Sequence, residues 1–139
     1  MSNENNIFAK IITGEIPCHK VYEDDKVLAF LDIHPVNKGH TLIIPKKHAV
    51  NIFDIGEEEI VEMIKVARRL ARLIRDVVQA DGMNIHMNNE KAGGQAVFHA
   101  HIHIIPRHEG DGFTHWPSRE GYAEGEAEEL IKEIISKIN

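Results

Sequence analysis

Apolar positions along the chain change period several times, and each change marks a structural element. Ile7, Phe8, Ile11 and Ile12 have helical spacing and stop at Gly14, which predicts a short amphipathic helix. Residues 20–22 and 27–32 read as two strands, with Glu23-Asp24-Asp25-Lys26 as the turn of a hairpin between them. Residues 40–44 are rich in β-formers and run into Pro45, giving a third strand. From about residue 57 to 80 the apolar residues Ile60, Met63, Ile64, Ala67, Leu70, Ala71, Ile74, Val77 and Val78 follow the i, i+3, i+4 rule of a long helix. Asp54 with Glu57 predicts its cap, and Asp81-Gly82 its end. Residues 83–87 and 97–105 read as a fourth and a fifth strand. A last amphipathic helix begins near Gly125, with Ala127, Leu130, Ile131, Ile134, Ile135 and Ile138 on one face.

This order predicts an α+β fold: a five-stranded antiparallel sheet, one long helix on one face, and short helices at the amino and carboxyl ends. The other face of the sheet is left for a ligand or a partner. No repeat or linker divides the chain, so residues 1–139 read as one domain, with 108–139 a loop and helix extension. Hydrophobic and charged contents of 42% and 27% are those of a globular chain with a packed core.

Charge and cysteine content narrow the function. A net charge of −6 argues against binding nucleic acid through a broad basic face, so an anionic ligand must be held by local groups. Cys18 is the single cysteine, which excludes an internal disulfide and a multi-cysteine metal site. The start, Met1-Ser2-Asn3-Glu4-Asn5-Asn6, lacks a basic then apolar leader, and no apolar run is long enough to span a bilayer. A cytoplasmic protein with no membrane partner is expected. Ten histidines are the one unusual feature of the composition.

Three of them alternate in Val97-Phe98-His99-Ala100-His101-Ile102-His103-Ile104-Ile105-Pro106-Arg107. On a strand they would share one face, with Phe98, Ala100, Ile102 and Ile104 packed beneath the long helix on the other. Alternate residues of a straight strand stand roughly 6.7 Å apart and the outer pair roughly 13 Å, too far for three imidazoles to share one zinc. Two of them with a remote ligand could do so. A nucleophilic reading accounts for the repetition better: a neutral imidazole attacks phosphorus while a flanking imidazolium stabilises the developing charge.

The stretch His99-Ala100-His101-Ile102-His103-Ile104-Ile105, with Gly94-Gln95 before it and Pro106-Arg107 after it, resembles the motif of the histidine triad family of nucleotidyl hydrolases and transferases. Asp32-Ile33 followed by Pro35, and His40-Thr41-Leu42-Ile43-Ile44-Pro45-Lys46-Lys47-His48, resemble the same family, in its nucleoside phosphoramidase-like branch. The resemblance runs from about Ile7 to Arg107. It implies that His101 is the nucleophile that takes up a nucleotidyl group from the α-phosphorus. It places His103 and His40 against phosphate oxygens or behind the nucleophile, and makes His99 a positioning group. It assigns Asp32 to the ribose, Asn88 to the phosphate, and Gln95 and Ala96 to the nucleotide beside the triad. Ile7, Phe8, Ile11, Phe30 and Ile33 would form the apolar slot for a purine. The product would be AMP or GMP, and the working form a homodimer.

Three departures from the family pattern matter. Many relatives carry two cysteines near the amino terminus that bind zinc with two histidines; here those positions are Asn6 and Ala9, so no cofactor and no structural zinc is expected despite His48 and His99. Position 96 is Ala where several phosphoramidate-hydrolysing relatives carry Ser or Thr near the leaving group, so leaving-group protonation would fall to His103 or to water. His34, in place of a small polar residue, adds a ribose or phosphate contact. A dinucleoside polyphosphate hydrolase, and a nucleotide-binding interaction protein with little turnover, are the alternatives.

Overall fold

The computed structural model describes residues 5–138; Met1–Glu4 of the polar amino-terminal segment, and Asn139, lie outside the described residues. The elements are α1 (Ile7–Thr13), β1 (Lys20–Glu23), β2 (Val27–Leu31), β3 (Thr41–Pro45), α2 (Glu57–Val78), β4 (Gly82–His86), a 3-10 turn (Lys91–Gly93), β5 (Ile102–Arg107) and α3 (Glu126–Ser136). The strands form one antiparallel sheet in the order β1-β2-β3-β5-β4. The expected α+β architecture is therefore the observed one.

The alternation of side chains splits the core between the two faces of the sheet. Val27, Ala29, Ile43, Ile102 and Ile104 face α2 and pack against its Met63, Val66, Ala67 and Leu70. Leu28, Phe30, Leu42 and Ile44 face the other way and pack against Phe8 of α1. The second face is thus partly roofed by a seven-residue helix too short to be stable alone. Asn6 caps α1, its Oδ1 accepting from the Ala9 N–H at 3.0 Å, and Gly14 ends it in the left-handed conformation at φ 85°.

Several local expectations are corrected. The N-cap of α2 is Gly56, with no side-chain capping bond. Asp54 instead accepts from the backbone N–H groups of Val50 and Asn51 at 2.9–3.0 Å, organising the loop before the helix. The helix closes at Gln79 in the left-handed conformation, and Asp81-Gly82 leads straight into β4. The largest correction concerns β5, which begins at Ile102 and not at residue 97. The Ala100 N–H bonds to the Ala49 carbonyl at 2.8 Å, in the loop after β3, so the chain there is held outside the sheet ladder. Helix α3 leaves Ile131, Ile134 and Ile135 more than half exposed.

Candidate active site

Helix α1, the end of β2 and the approach to β5 enclose a cavity of about 430 Å³. Ile7, Phe8, Ile11, Phe30 and Leu42 supply apolar walls; Asp32, His34, Asn88, His101 and His103 supply polar groups; Ala96 and Ile33 complete the lining. A mostly apolar slot with a few convergent polar groups is the usual form of a small-molecule site. A second cavity, about 420 Å³, lies at the Arg107–Phe113 loop, away from the triad. There Arg107 spends its donors on Asp111, Asn84 and the Phe113 carbonyl, which holds the Asp111 carboxyl well below the usual range. The donors of that loop are thus satisfied within the chain, and the histidines of the triad line only the first cavity.

The three triad histidines differ in setting. The His101 Nδ1–H donates to the His99 carbonyl at 2.7 Å, so the neutral ring keeps its lone pair on Nε2. Phe8 packs edge-on against that ring, centroids 5.1 Å apart. Burial lowers the His101 pKa below 6.5, opposed in part by the hydrogen bond and by Asp32. His99 does not line the cavity. Its ring is buried, with Nε2–H donating to the Pro45 carbonyl at 3.0 Å.

His103 belongs to a relay whose tautomers are fixed by the backbone. The Val36 N–H donates to His40 Nδ1 at 3.1 Å, which leaves the proton of neutral His40 on Nε2. His40 Nε2–H then donates to His103 Nδ1 at 2.9 Å, and His103 carries its own proton on Nε2. Burial, with the neighbouring His101, His86 and His40, pushes the His103 pKa down to about 3. Burial and the neighbouring rings thus disfavour the flanking imidazolium expected from the sequence. Crowding several imidazoles beside a cavity wall favours the neutral ring, which offers an N–H at Nε2. His40 lies behind it, buried, with Asp32 Oδ2 at 3.7 Å.

Asp32 Oδ1 accepts from the His34 N–H at 2.8 Å, so this end of the carboxylate is steadied by its own turn. His34 and Ile33 are exposed at the cavity rim, Ile33 at 71%, a rim position and not part of a closed slot. Asn88 lines the cavity with a long bond, 3.4 Å, to the Gly94 carbonyl. Gln95, expected to meet the nucleotide, does not line the cavity. It is buried, its Nε2 donating to the Val50 and Val97 carbonyls and its Oε1 accepting from the Glu90 N–H and from Asn51. It staples two loops together.

Sequence reasoning missed His86. Strand β4 pairs His86 with His103, and the two rings lie 4.9 Å apart. Period-2 alternation with Asn84 was the one available signal, and register was needed to use it.

Two clusters have metal-ligand chemistry. Asp32, His40 and His103 bring ligand atoms within 4.8 Å of one another. The relay protonates His40 Nε2 and occupies His103 Nδ1, so these nitrogens are committed to each other. Where the resemblance to zinc-binding relatives would put a metal, His48 Nδ1 and His99 Nδ1 stand 3.3 Å apart. Asn6 spends its side-chain oxygen on its own helix, Ala9 has no ligand atom, and the buried His48 Nε2 has no hydrogen-bond partner among the described residues. Two imidazoles make half of a tetrahedral site, and the residues present do not fit a structural zinc.

A histidine-walled slot of about 430 Å³ between a β-sheet and a short helix defines a protein class, and comparison with known proteins gives its family. The HIT domain matches residues 13–110, and the chain belongs to that family. It is 52% identical over 111 residues to Protein hit of Bacillus subtilis, covering 79% of this chain and 77% of that one. It is 43% identical over 105 residues to the adenylylsulfatase HINT3 of Arabidopsis thaliana, covering 76% of this chain and 53% of the relative. The crystal structure of SMU.412c from Streptococcus mutans superposes with a TM-score of 0.93 at 39% identity, covering 99% of this chain and 88% of that one.

Proposed function

We propose that the protein hydrolyses nucleoside 5′-monophosphate conjugates, purine nucleoside phosphoramidates among them, through a nucleotidyl group carried on His101. The observation that carries this reading is the His101–His99 carbonyl bond, which leaves a neutral Nε2 lone pair on a ring lining an apolar slot. The purine stacks among Ile7, Phe8, Ile11 and Phe30, and Asp32 meets the ribose hydroxyls. The His101 Nε2 lone pair forms a bond to the α-phosphorus, and the bond from phosphorus to the leaving atom breaks with its electron pair on the leaving group. His103 Nε2–H and the Asn88 amide hold phosphate oxygens, a stabilisation of charge that enzymes of many kinds use. Water then attacks phosphorus, releases AMP or GMP and restores the imidazole. Replacing His101 by Ala should remove turnover of an AMP–amine conjugate; retention of more than a small fraction of the rate contradicts the mechanism.

A second reading of the leaving group has its own support. With Ala96 in place of a hydroxyl and His103 neutral, the site holds no spare proton for a departing amine. Water must supply that proton, whereas an anhydride leaving group such as a phosphate departs without one. Dinucleoside polyphosphates and other anhydrides of AMP are therefore the competing substrates. Paired measurement of kcat/KM for an AMP–amine conjugate and for diadenosine polyphosphates separates the two. The working unit is a homodimer, a reading supported by the exposed apolar residues of α3 and by Val61 and Ile64 on α2; sedimentation as a monomer at micromolar concentration contradicts it. No helix among the described residues is long and apolar enough to cross a membrane, and the cytoplasm is the proposed location.

A further inference from the structure

In relatives with two cysteines near the amino terminus, a zinc would tie that end to the triad segment; here those positions are Asn6 and Ala9. The two segments are nevertheless connected by side chains. Asn6 Nδ2–H lies 3.4 Å from His99 Nδ1, linking residues 93 apart in sequence. His99 Nε2–H is committed to the Pro45 carbonyl, so Nδ1 is the acceptor. His48 Nδ1–H approaches the same nitrogen at 3.3 Å. Asn6 is buried, and its oxygen is fixed at the start of α1 by the Ala9 N–H, which aims the amide nitrogen at the ring.

We infer that Asn6 is a positioning residue that ties α1 to the His99 ring without a metal and thereby sets the His101 imidazole. Two routes lead from His99 to the nucleophile. The backbone carbonyl of His99 receives His101 Nδ1–H and so fixes the tautomer and direction of that ring. Phe8, two residues along from Asn6, packs edge-on against both rings, 6.0 Å from His99 and 5.1 Å from His101. A seven-residue helix has no stability of its own to hold Phe8 there. One amide therefore caps the helix with its oxygen and moors it to the catalytic segment with its nitrogen.

The two roles separate by substitution. Asn6→Ser keeps a side-chain oxygen that caps a helix well but is too short to reach His99; Asn6→Ala removes both functions. Three readouts are taken at one fixed pH of 7.5: thermal midpoint, kcat/KM for an AMP conjugate, and the ring nitrogen-15 shifts of His99 and His101. Asn6→Ser should keep the midpoint within about 2 °C, shift both ring signals, and lower kcat/KM about 2-fold, the low end for one hydrogen bond, since this one is long and shares its acceptor with His48. Asn6→Ala should add a fall in the midpoint. Unchanged ring signals in Asn6→Ser overturn the inference, as does unchanged kcat/KM in an active natural chain. The inference rests on the proposed role of His101, but the two fail differently: absence of turnover in the natural chain removes the proposed reaction, while the ring signals still decide the tether.

Discussion

The crowding of neutral imidazoles around His103 has a thermodynamic consequence that can be measured without any substrate. The ring titrates at about 3 in the folded chain against 6.5 for a free histidine. Between those values the unfolded chain binds a proton that the folded chain refuses, so stability is full above pH 6.5 and is lost as pH falls towards 3. From pH 7.5 to 5.0 the relevant window is the 1.5 units below 6.5, worth about 2 kcal/mol at about 1.36 kcal/mol per unit. One edge of the ring lines the cavity, and water there reduces this to about 1 kcal/mol. His40, His99 and His101 are shifted in the same direction, so the whole protein should lose more. His103→Asn isolates the share of the one ring, because it removes the titrating group and keeps a polar side chain. Urea unfolding of both proteins at the two pH values, at one fixed chain concentration, gives the comparison. The natural chain should lose about 1 kcal/mol more than the variant on going to pH 5.0. An equal loss, or a larger one in the variant, refutes the neutral relay.

Two further expectations follow from the site. Gln95→Leu leaves the Val50 carbonyl, the Glu90 N–H and the Asn51 amide short of a partner, and should cost about 2 kcal/mol in urea unfolding; a variant as stable as the natural chain removes the loop-stapling role. In the proposed mechanism His101 is neutral when it attacks, and burial lowers its pKa, so kcat/KM should be flat from pH 8 to 6.5 and fall only at more acid pH. A fall centred above 7 would mean the nucleophile is not the buried ring described here.

How much of this was written in the sequence depends on the range of the interactions. Helix α2 was legible because nine apolar residues repeat with one period and burial demands that face. The fold class followed, since the intervening strands alternate or run apolar. The triad was legible as a motif, but its strand was not: alternation suggested a ladder from residue 97, whereas a bond between Ala100 and Ala49 holds that segment apart. Gln95 can serve a ligand or a loop and Asp54 a helix cap or a loop, and only the positions of Val50 and Asn51 decide for the loop. His86 became visible once register set it opposite His103. The protonation of the site was the least legible part, because the Val36 N–H that sets the tautomers is a backbone group with no sequence signature.

The central claim is that His101, held by the His99 carbonyl, takes a nucleotidyl group from the substrate. Mass spectrometry of the protein quenched in acid-free denaturant during turnover of an AMP conjugate tests it directly. The account predicts an added adenylyl group on the peptide carrying residues 99–103, located on His101 by fragmentation and absent from His101→Ala. An adduct on another residue, or rapid turnover with no adduct at any quench time in a chain that loses no rate on His101→Ala, contradicts it.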